Sequence, residues 1–569
     1  MRVQHRKAVA PTALPLVDTV PVPSAGASGP LLDHLSRRDR WLFRRFGAGL
    51  QVPVPDVRIH HAFEQWAETT PDTPAAEHRG STISYRTLDR QANRLAARLV
   101  AAGVRTGDTV GVFTSRSIPM LVGILATLKA GAAYVPQDVR IAPPTQLREV
   151  ATIARCRVLL TTEATVGALP VLPGVARVAV DRVMAEPLAP GAHVTPPTPS
   201  RPVRSDDGCY VLFTSGTTGT PNGVTVTHGN LANLLLTTPG DLGIQPGWRV
   251  AQLLNIAFDM AAWEILGSLT HGATLLVRDR DLTATAARAQ VLIATPSVLA
   301  RIDQARCGGV RVVAVAGEPC PRPLADSWAV DRVFYNCCGP TETTIVNTMH
   351  RHRPGADALT IGRPTPNNTV YVLDPTGQPC RIGEVGEMWA GGDCVSAGYL
   401  DNPVLTAQRY APDPFLGAGR LMFRTRDLGR WTPDGDLEHL GRTDDQVKVR
   451  GFRVELDSVS AVLEEVRGCQ HAVTLRLNDR DLAAFVTPAD LDPQRCRDAV
   501  AAALPYYCVP AVVYPLAQLP ITGRGKVDRE ALRQLALDLP AGATRIGTTG
   551  PEGTGPVSRI GTAGPGRAA

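Results

Sequence analysis

Apolar residues recur at the spacing of one helical face between residues 87 and 104. The repeating positions are Leu88, Ala92, Leu95, Ala96 and Leu99. This period predicts an amphipathic helix with its apolar face in a core. Gly103 follows the last of these positions. Glycine readily adopts the left-handed conformation found just after helices, so we expect the helix to end there.

Short apolar runs alternate with such helical patterns. DTVGVFT (108–114) predicts a strand, and PMLVGILATLKAGAAYV (119–135) predicts a buried core helix that is too short to span a bilayer. GCYVLF (208–213) predicts another strand, after a Pro-rich loop at 186–204. The alternation predicts an α/β fold in which helices cover parallel sheets.

The two ends of the chain lack this pattern. Residues 1–55 are rich in Pro and Arg and predict a leader or linker with one helix in DHLSRRDRWLFRRF. The first residues have the basic-then-apolar order of a secretory signal, but Pro11 and Pro15 interrupt the apolar part, which argues against secretion. Residues 538–569 are predicted to be a disordered tail, because the Gly/Thr/Pro-rich repeat at 541–569 cannot form a core.

Composition narrows the class of protein. The 569 residues include 59 Lys and Arg against 53 Asp and Glu, so the net charge of +6 is small for the length and indicates neither a nucleic-acid nor a membrane partner. The 11 cysteines show no CxxC motif and no zinc-ligand spacing. An odd, unpatterned set predicts free thiols in a cytoplasmic protein.

One loop carries candidate chemistry. TSGTTGTPNGV (214–224) follows a predicted strand and offers hydroxyl groups and glycine amides to an anion. A P-loop requires the pattern GxxxxGK[ST], and this loop has Asn222 where a lysine would be needed, which excludes an ordinary P-loop NTPase. Taken alone, the loop is also compatible with a plain turn between strands.

Four further motifs follow this loop in order. They are YNCCGPTETTIV (335–346), FRTRDLGRW (423–431), GRTDDQVKVRGFRVEL (441–456) and LPITGRGKVDR (519–529). Together the five motifs resemble the adenylate-forming superfamily, and most closely the adenylation domains of nonribosomal peptide synthetases, over about residues 56–537.

The resemblance implies an architecture and a reaction. A large N-terminal region of βα subdomains would occupy 56–440, and a small mobile α+β domain 441–537. A substrate carboxylate would attack the α-phosphate of ATP, with Mg²⁺ as cofactor. The acyl-adenylate would then pass to the phosphopantetheine thiol of a carrier protein acting in trans. HHAFEQW lacks the Asp-Gly of a condensation-domain motif, and the chain is expected to be a stand-alone adenylation enzyme.

The resemblance also implies roles for single residues. Lys526 would bridge the carboxylate and the phosphate as the catalytic cation, Glu342 would bind the metal, Asp427 the ribose hydroxyls, and Asp444 would be the hinge. Nucleotide contacts are implied for Thr214, Ser215, Gly216, Thr217, Thr218, Gly219, Cys337, Cys338, Gly339, Thr341, Asp427 and Arg442.

Asp259 matches the carboxylate that pairs with a substrate α-amine, and this favours an amino-acid substrate. The other implied pocket positions are Met260, Trp263, Ile293, Ala314, Ala316, Cys337, Ile345 and Val346. None of these side chains is charged, so an apolar amino acid is expected, either phenylalanine-like or branched aliphatic.

Three positions depart from the family pattern and leave alternatives open. They are Asn222 for a lysine, Arg426 for a glycine and Cys338 for an aromatic residue that packs on adenine. Losing that aromatic removes stacking area. A catalytically weakened domain kept as a binding partner is therefore one alternative, and an acyl- or aryl-CoA ligase is the other. The need for an MbtH-like helper protein stays open.

Overall fold

The computed structural model describes residues 30–538, apart from 188–193, 215–219, 357, 444–445 and 522–526. Within these residues the strands, β1 to β25 in chain order, are Pro74–His78, Ser81–Ser84, Thr109–Phe113, Ala133–Gln137, Val158–Thr161, Ala176–Ala179, Gly208–Thr214, Asn222–Thr227, Arg249–Gln252, Thr274–Val277, Val291–Ala294, Val312–Val315, Val333–Cys338, Thr348–His352, Arg363–Pro364, Asn368–Leu373, Gly386–Gly392, Tyr410–Pro412, Leu421–Trp431, Leu437–Arg442, Gln446–Val449, Phe452–Glu455, His471–Arg476, Leu482–Thr487 and Val512–Pro515.

The helices of the same residues, α1 to α15, are Arg37–Phe46, Ile59–Thr69, Tyr85–Ala101, Ile118–Lys129, Pro144–Ile153, Val180–Ala185, His228–Leu235, Asp259–Leu269, Leu282–Ala286, Pro296–Leu299, Arg322–Trp328, Pro403–Arg409, Leu456–Glu464, Pro493–Ala503 and Arg529–Asp538. Short 3₁₀ turns lie at Pro30–Leu32, Val166–Ala168, Gln304–Arg306, Thr341–Thr343 and Tyr506–Cys508.

Two mostly parallel sheets form the centre of the molecule. One has nine strands in the order β15-β14-β13-β12-β11-β9-β10-β1-β2, and the other has six in the order β6-β5-β3-β4-β7-β8. Parallel pairs such as β11 with β12 need a crossover connection, which the intervening helices supply. The predicted α/β fold is therefore confirmed.

Smaller sheets complete the fold. A five-stranded antiparallel sheet contains β16, β17, β18, β19 and β20. After residue 443 the chain forms a two-stranded hairpin, β21 with β22, and a three-stranded sheet in the order β23-β24-β25. The helices α13 and α14 pack with these strands around a separate core. This small C-terminal unit agrees with the predicted α+β domain, whose mobility stays a prediction.

The local predictions agree with the structure where periodicity was strong. The predicted helix is α3, and its five repeating apolar side chains are all buried. Gly103 follows its end with φ +90°. The predicted core helix is α4, which is buried nearly throughout. Even Lys129 at its end is buried, where its ammonium pairs with Glu64 and with Asp89 at 2.8 Å.

Helix α1 packs its apolar face onto the five-stranded sheet. The hydroxyl of Ser36 caps the helix by accepting a hydrogen bond from the Asp39 amide at 3.0 Å. Leu42, Phe43 and Phe46 are buried against side chains of that sheet. The described part of the predicted leader is thus folded onto the core.

All 11 cysteines are free thiols, as the sequence predicted. In the ranges that the structure covers, no helix combines the length and the apolar character needed to cross a bilayer. The predicted tail beyond residue 538 lies outside the described residues.

Candidate active site

A cleft of about 650 Å³ lies where the central strands end and the C-terminal unit begins. The strand β12 leads into it through Ala316, and β13 ends in it with Cys337 and Cys338. Ligands of open α/β sheets bind at the carboxyl ends of strands, where the connections diverge. Asp427 and the hairpin β21–β22 also line the cleft.

Asp259 is the acidic group on the inner wall of the cleft. It is the first residue of α8, where the helix dipole favours a negative charge. One carboxylate oxygen, Oδ2, accepts a hydrogen bond from the Thr341 hydroxyl at 2.8 Å. Burial raises the pKa of Asp259, and the Thr341 bond and the charge of Lys448 oppose that rise. The site therefore holds a carboxylate whose charge a bound cation would balance.

Asp427 is buried at the point where β19 pairs with β20. Its Oδ1 accepts from Arg442 Nη1 at 2.6 Å and lies 3.2 Å from His439 Nε2. Burial would raise the pKa of this carboxyl, but His439, Arg442 and Lys448 outweigh it and lower the pKa to about 2. Asp427 is therefore ionised, and its carboxylate can accept hydrogen bonds from a polar ligand.

Glu342 is fully buried behind the cleft, in a network of donors. The Tyr399 hydroxyl donates to Oε1 at 2.6 Å, and Arg453 Nη1 lies 2.9 and 3.1 Å from the two oxygens. Burial would raise the pKa of Glu342, but Arg453, Arg409 and the Tyr399 bond hold it below its usual value. The carboxylate is ionised and paired with a residue of the C-terminal hairpin.

A single carboxylate can suit Mg²⁺, which is often bound through one or two carboxylates plus substrate phosphates. The described residues contain no cluster of three or more metal-ligating side chains. Glu342 has the right chemistry, but both of its oxygens contact Arg453 in this arrangement. The Glu342 carboxylate can therefore bind Mg²⁺ only when Arg453 has moved away from it.

The hairpin β21–β22 brings the C-terminal unit into the cleft. The Phe452 ring contacts Phe258 edge to face at 5.3 Å and stacks on Tyr507 at 3.9 Å. Gly451, at the turn, has φ +84°, and a Cβ there would come within 2.9 Å of Thr295 Cγ2. Only glycine fits this close approach without displacement.

Three thiols line the cleft, from Cys320, Cys337 and Cys338. Burial raises the pKa of Cys320 and of Cys338 to about 12, and that of Cys337 well above its usual value. These cysteines are neutral, weakly polar lining groups, because only a thiolate is an effective nucleophile. Cys338 leaves the cleft without an aromatic face at that position.

The structure brings many of the predicted residues to this cleft. Its lining includes Thr214, Asp259, Met260, Ala316, Cys337, Cys338, Gly339, Thr341, Ile345, Asp427 and Arg442. Trp263, Ile293, Ala314 and Val346 belong to the same hydrophobic core as Met260, Ala316 and Ile345 but are not among the lining side chains. The Trp263 indole donates to the Gly240 carbonyl at 2.7 Å. Ser215, Gly216, Thr217, Thr218, Gly219, Asp444 and Lys526 lie outside the described residues.

The structure shows the backbone conformation or backbone contacts of two of the three residues that depart from the family pattern, Arg426 and Asn222. Arg426 adopts φ +62°, a conformation that favours the glycine usual in the family. Its amide donates to Glu387 Oε1 at 3.1 Å. Asn222 begins β8, and its carbonyl accepts from the Thr214 hydroxyl at 3.4 Å.

Sequence reasoning missed the cations and aromatics that the C-terminal hairpin supplies. Lys448, Phe452 and Arg453 all line the cleft. The resemblance covers the motif that contains them, but it assigned roles only to Arg442 and Asp444. The available signal is a basic residue on each side of the turn at Gly451: Lys448 lies opposite Arg453 in the hairpin, and directly opposed residues of paired strands share a face.

Comparison with known proteins gives the family. The model of the family described as AMP-binding enzyme matches residues 63–400. Adenylate-forming reductase 06235 of Coprinopsis cinerea is 46% identical over 511 residues, which are 89% of this chain and 49% of that protein. The chain therefore spans about half the length of this curated relative.

Two further proteins relate the chain to peptide synthetases. A component of the linear gramicidin synthase of Brevibacillus parabrevis is 37% identical over 498 residues, covering 84% of this chain and 10% of that protein. The solved structure of NpsA-ThdA, an artificially fused adenylation-PCP di-domain from Klebsiella oxytoca, superposes with a TM-score of 0.71 at 25% identity. That match covers 80% of this chain and 93% of the other.

Proposed function

The chain belongs to the AMP-binding enzyme family, within the adenylate-forming superfamily and with adenylation domains of peptide synthetases among its relatives. From this premise we propose that it activates an apolar amino acid with ATP as the aminoacyl-adenylate. The acyl group then passes to the phosphopantetheine thiol of a carrier protein. The fused adenylation-PCP structure supports a carrier partner.

Asp259 is the observation that carries the proposed substrate class. A carboxylate at a half-buried helix N-terminus, in a cleft lined by Met260, Ala316 and Ile345, is costly without a cation. In the present arrangement the charge of Lys448 acts on it. A substrate α-ammonium would take over this role and leave the apolar walls for the side chain.

Asp427 and Arg442 support the nucleotide part of the proposal. The pair places an ionised carboxylate and a guanidinium in the lining of the cleft. A ribose diol donates to the first, and a phosphate accepts from the second. By resemblance we also propose that Lys526 stabilises the developing charge, that Asp444 is the hinge, and that Glu342 holds Mg²⁺ once Arg453 has withdrawn.

Substrate-dependent exchange of pyrophosphate into ATP tests the proposal. The panel contains the proteinogenic amino acids together with aryl and fatty acids, each with and without coenzyme A. We expect exchange with one or a few apolar amino acids and none that depends on coenzyme A. An apolar pocket separates neighbours differing by one methylene by only about 10–200-fold, so closely related substrates should also respond.

Variants of Asp259 decide the role of the α-amine. Asp259→Ala should remove amino-acid-dependent exchange while ATP binding is retained, because losing one partner of a buried pair costs about 3–5 kcal/mol. Asp206→Ala, an exposed acid elsewhere, is the control and should match the unaltered protein. Undiminished exchange in Asp259→Ala would contradict an amino-acid substrate.

A second candidate concerns the fate of the acyl group. The reductase relative is 46% identical over 511 residues, against 37% over 498 for the gramicidin synthase component. This favours delivery of the thioester to a reductive step that consumes NAD(P)H rather than to peptide bond formation. Pyrophosphate exchange reports only adenylate formation, so the candidate is tested by loading the acyl group on a carrier protein and following whether the thioester is released by reduction with NAD(P)H or by transfer to an amine.

A further inference from the structure

A second depression, of about 630 Å³, lies at the end of the nine-stranded sheet opposite the cleft. Its lining includes the residues that immediately precede three neighbouring parallel strands: Gln290 before β11, Arg311 before β12 and Arg332 before β13. Arg351 on the adjacent strand β14 adds a third guanidinium. We call this depression the arginine basin. Because the three strands are parallel, the residues just before their starts lie next to one another at the same edge of the sheet.

Two of the three guanidinium groups are held in place by aromatic rings. Arg311 lies over the Trp248 ring at 5.1 Å, and Arg332 lies over Trp328 at the same distance. A ring covers one face of a guanidinium and leaves its N–H edge for a ligand. Arg332 donates from Nη2 to the Cys307 carbonyl at 3.1 Å, while its buried Nε has no hydrogen-bond partner in the described structure.

The charge of the basin is largely uncompensated. Among the described residues neither Arg311 nor Arg351 forms a salt bridge, although nearby Arg249 pairs with Glu77 at 2.8 Å. Asp331 on the rim is the acidic group that lines the basin. Three cations against one carboxylate around one shallow depression give a positive potential there.

We propose that the arginine basin binds a small anion with more than one phosphate group. The planar N–H fork of arginine matches phosphate oxygens, and several forks around one depression suit a ligand with several such oxygens. The volume is within the range of small-ligand sites. The Gly308–Gly309 turn lines the basin as well, and no atom lies within 4 Å of the position of a Gly308 Cβ, so the backbone is open to a ligand.

The test is equilibrium binding of inorganic pyrophosphate to the full chain in EDTA, followed by tryptophan fluorescence. Trp248 and Trp328 lie beneath two of the arginines and should report occupancy. The variant Arg311→Gln/Arg351→Gln should bind more weakly by roughly tenfold for each lost charged contact. Arg301→Gln, at an exposed arginine outside the basin, is the matched control and should bind like the unaltered protein.

Pyrophosphate held by the active cleft would be retained in the double variant, so equal affinity in the double variant and the unaltered protein overturns the proposal. An equal loss in the Arg301→Gln control also overturns it, since the effect would then be general charge. If the double variant fails to fold, Arg351→Gln alone decides, because that side chain is exposed. Vesicles containing phosphatidylserine form the last arm: arginine-dependent binding to vesicles without binding to pyrophosphate would contradict a free phosphate ligand.

Discussion

Arg453→Met should release the C-terminal hairpin from the cleft. Arg453 contacts Glu342 through one nitrogen at 2.9 and 3.1 Å, and the Glu342 side chain is 0% exposed. At about 3 Å and an effective dielectric of 20, the Coulomb energy of such a pair is roughly 5 kcal/mol. The cost of removing both charges from water offsets part of this energy. In addition, the two carboxylate oxygens share one guanidinium nitrogen, which is a weaker contact than two parallel N–H···O bonds from two nitrogens. We therefore expect the pair to stabilise docking of the hairpin by about 2–3 kcal/mol, which lies at or just below the lower limit of about 3 kcal/mol for broken buried pairs.

Hydrogen exchange of residues 446–455 measures this directly. A loss of 2–3 kcal/mol corresponds to a fall in protection of roughly 30–150-fold. Glu342→Gln should lower protection similarly, and the double variant should lose little more, because both changes remove the same contact. Arg467→Met, at an exposed arginine of the same unit, should leave the hairpin unchanged. The reasoning is refuted if protection is unchanged in Arg453→Met, or if the losses in the double variant simply add.

Three other changes have expected outcomes. Burial holds the pKa of His60 well below 6.5 and lowers that of His228 to about 3, so below pH 6.5 the unfolded chain binds protons that the folded chain does not. The free energy of unfolding should therefore fall as the pH drops below 6.5, by up to about 1.4 kcal/mol per pH unit for each histidine. Urea titrations at several pH values measure this, and midpoints that stay level below pH 6.5 would contradict it. Gly451→Ala should lower hydrogen-exchange protection of the hairpin because its Cβ would meet Thr295, and an unaltered exchange pattern would count against the close approach. Lys526→Ala should slow adenylate formation by about 10²–10³-fold yet load pre-made adenylate onto a carrier normally, whereas equal loss of both steps would argue against a role confined to the first.

Periodicity predicted α3 and α4 because their burial depends on neighbours three and four positions away in the chain. The cleft depends on longer separations: Thr341 bonds a residue 82 positions away, and Arg453 one 111 positions away. Such contacts are set by how the sheets and the hairpin pack, which no local pattern encodes.

Resemblance recovered part of what periodicity could not. It indicated Asp259, Asp427 and Arg442, which do line one cleft. It also assigned Trp263 and Ile293 to the pocket, but neither side chain lines the cleft in this arrangement. A motif fixes a residue's position in the fold, whereas the reach of its side chain depends on what packs in front of it.

Because of helix α1, the folded unit begins earlier in the chain than the family match does. The family match begins at residue 63, but Leu42 and Phe46 fill a core shared with Val370 and Trp431. A recombinant fragment cut at the start of the match would expose that apolar surface to water. Contiguous exposed apolar surface promotes self-association. Expression of the domain therefore calls for a fragment that begins ahead of Pro30, so that the first turn and α1 remain attached to the sheet they cover.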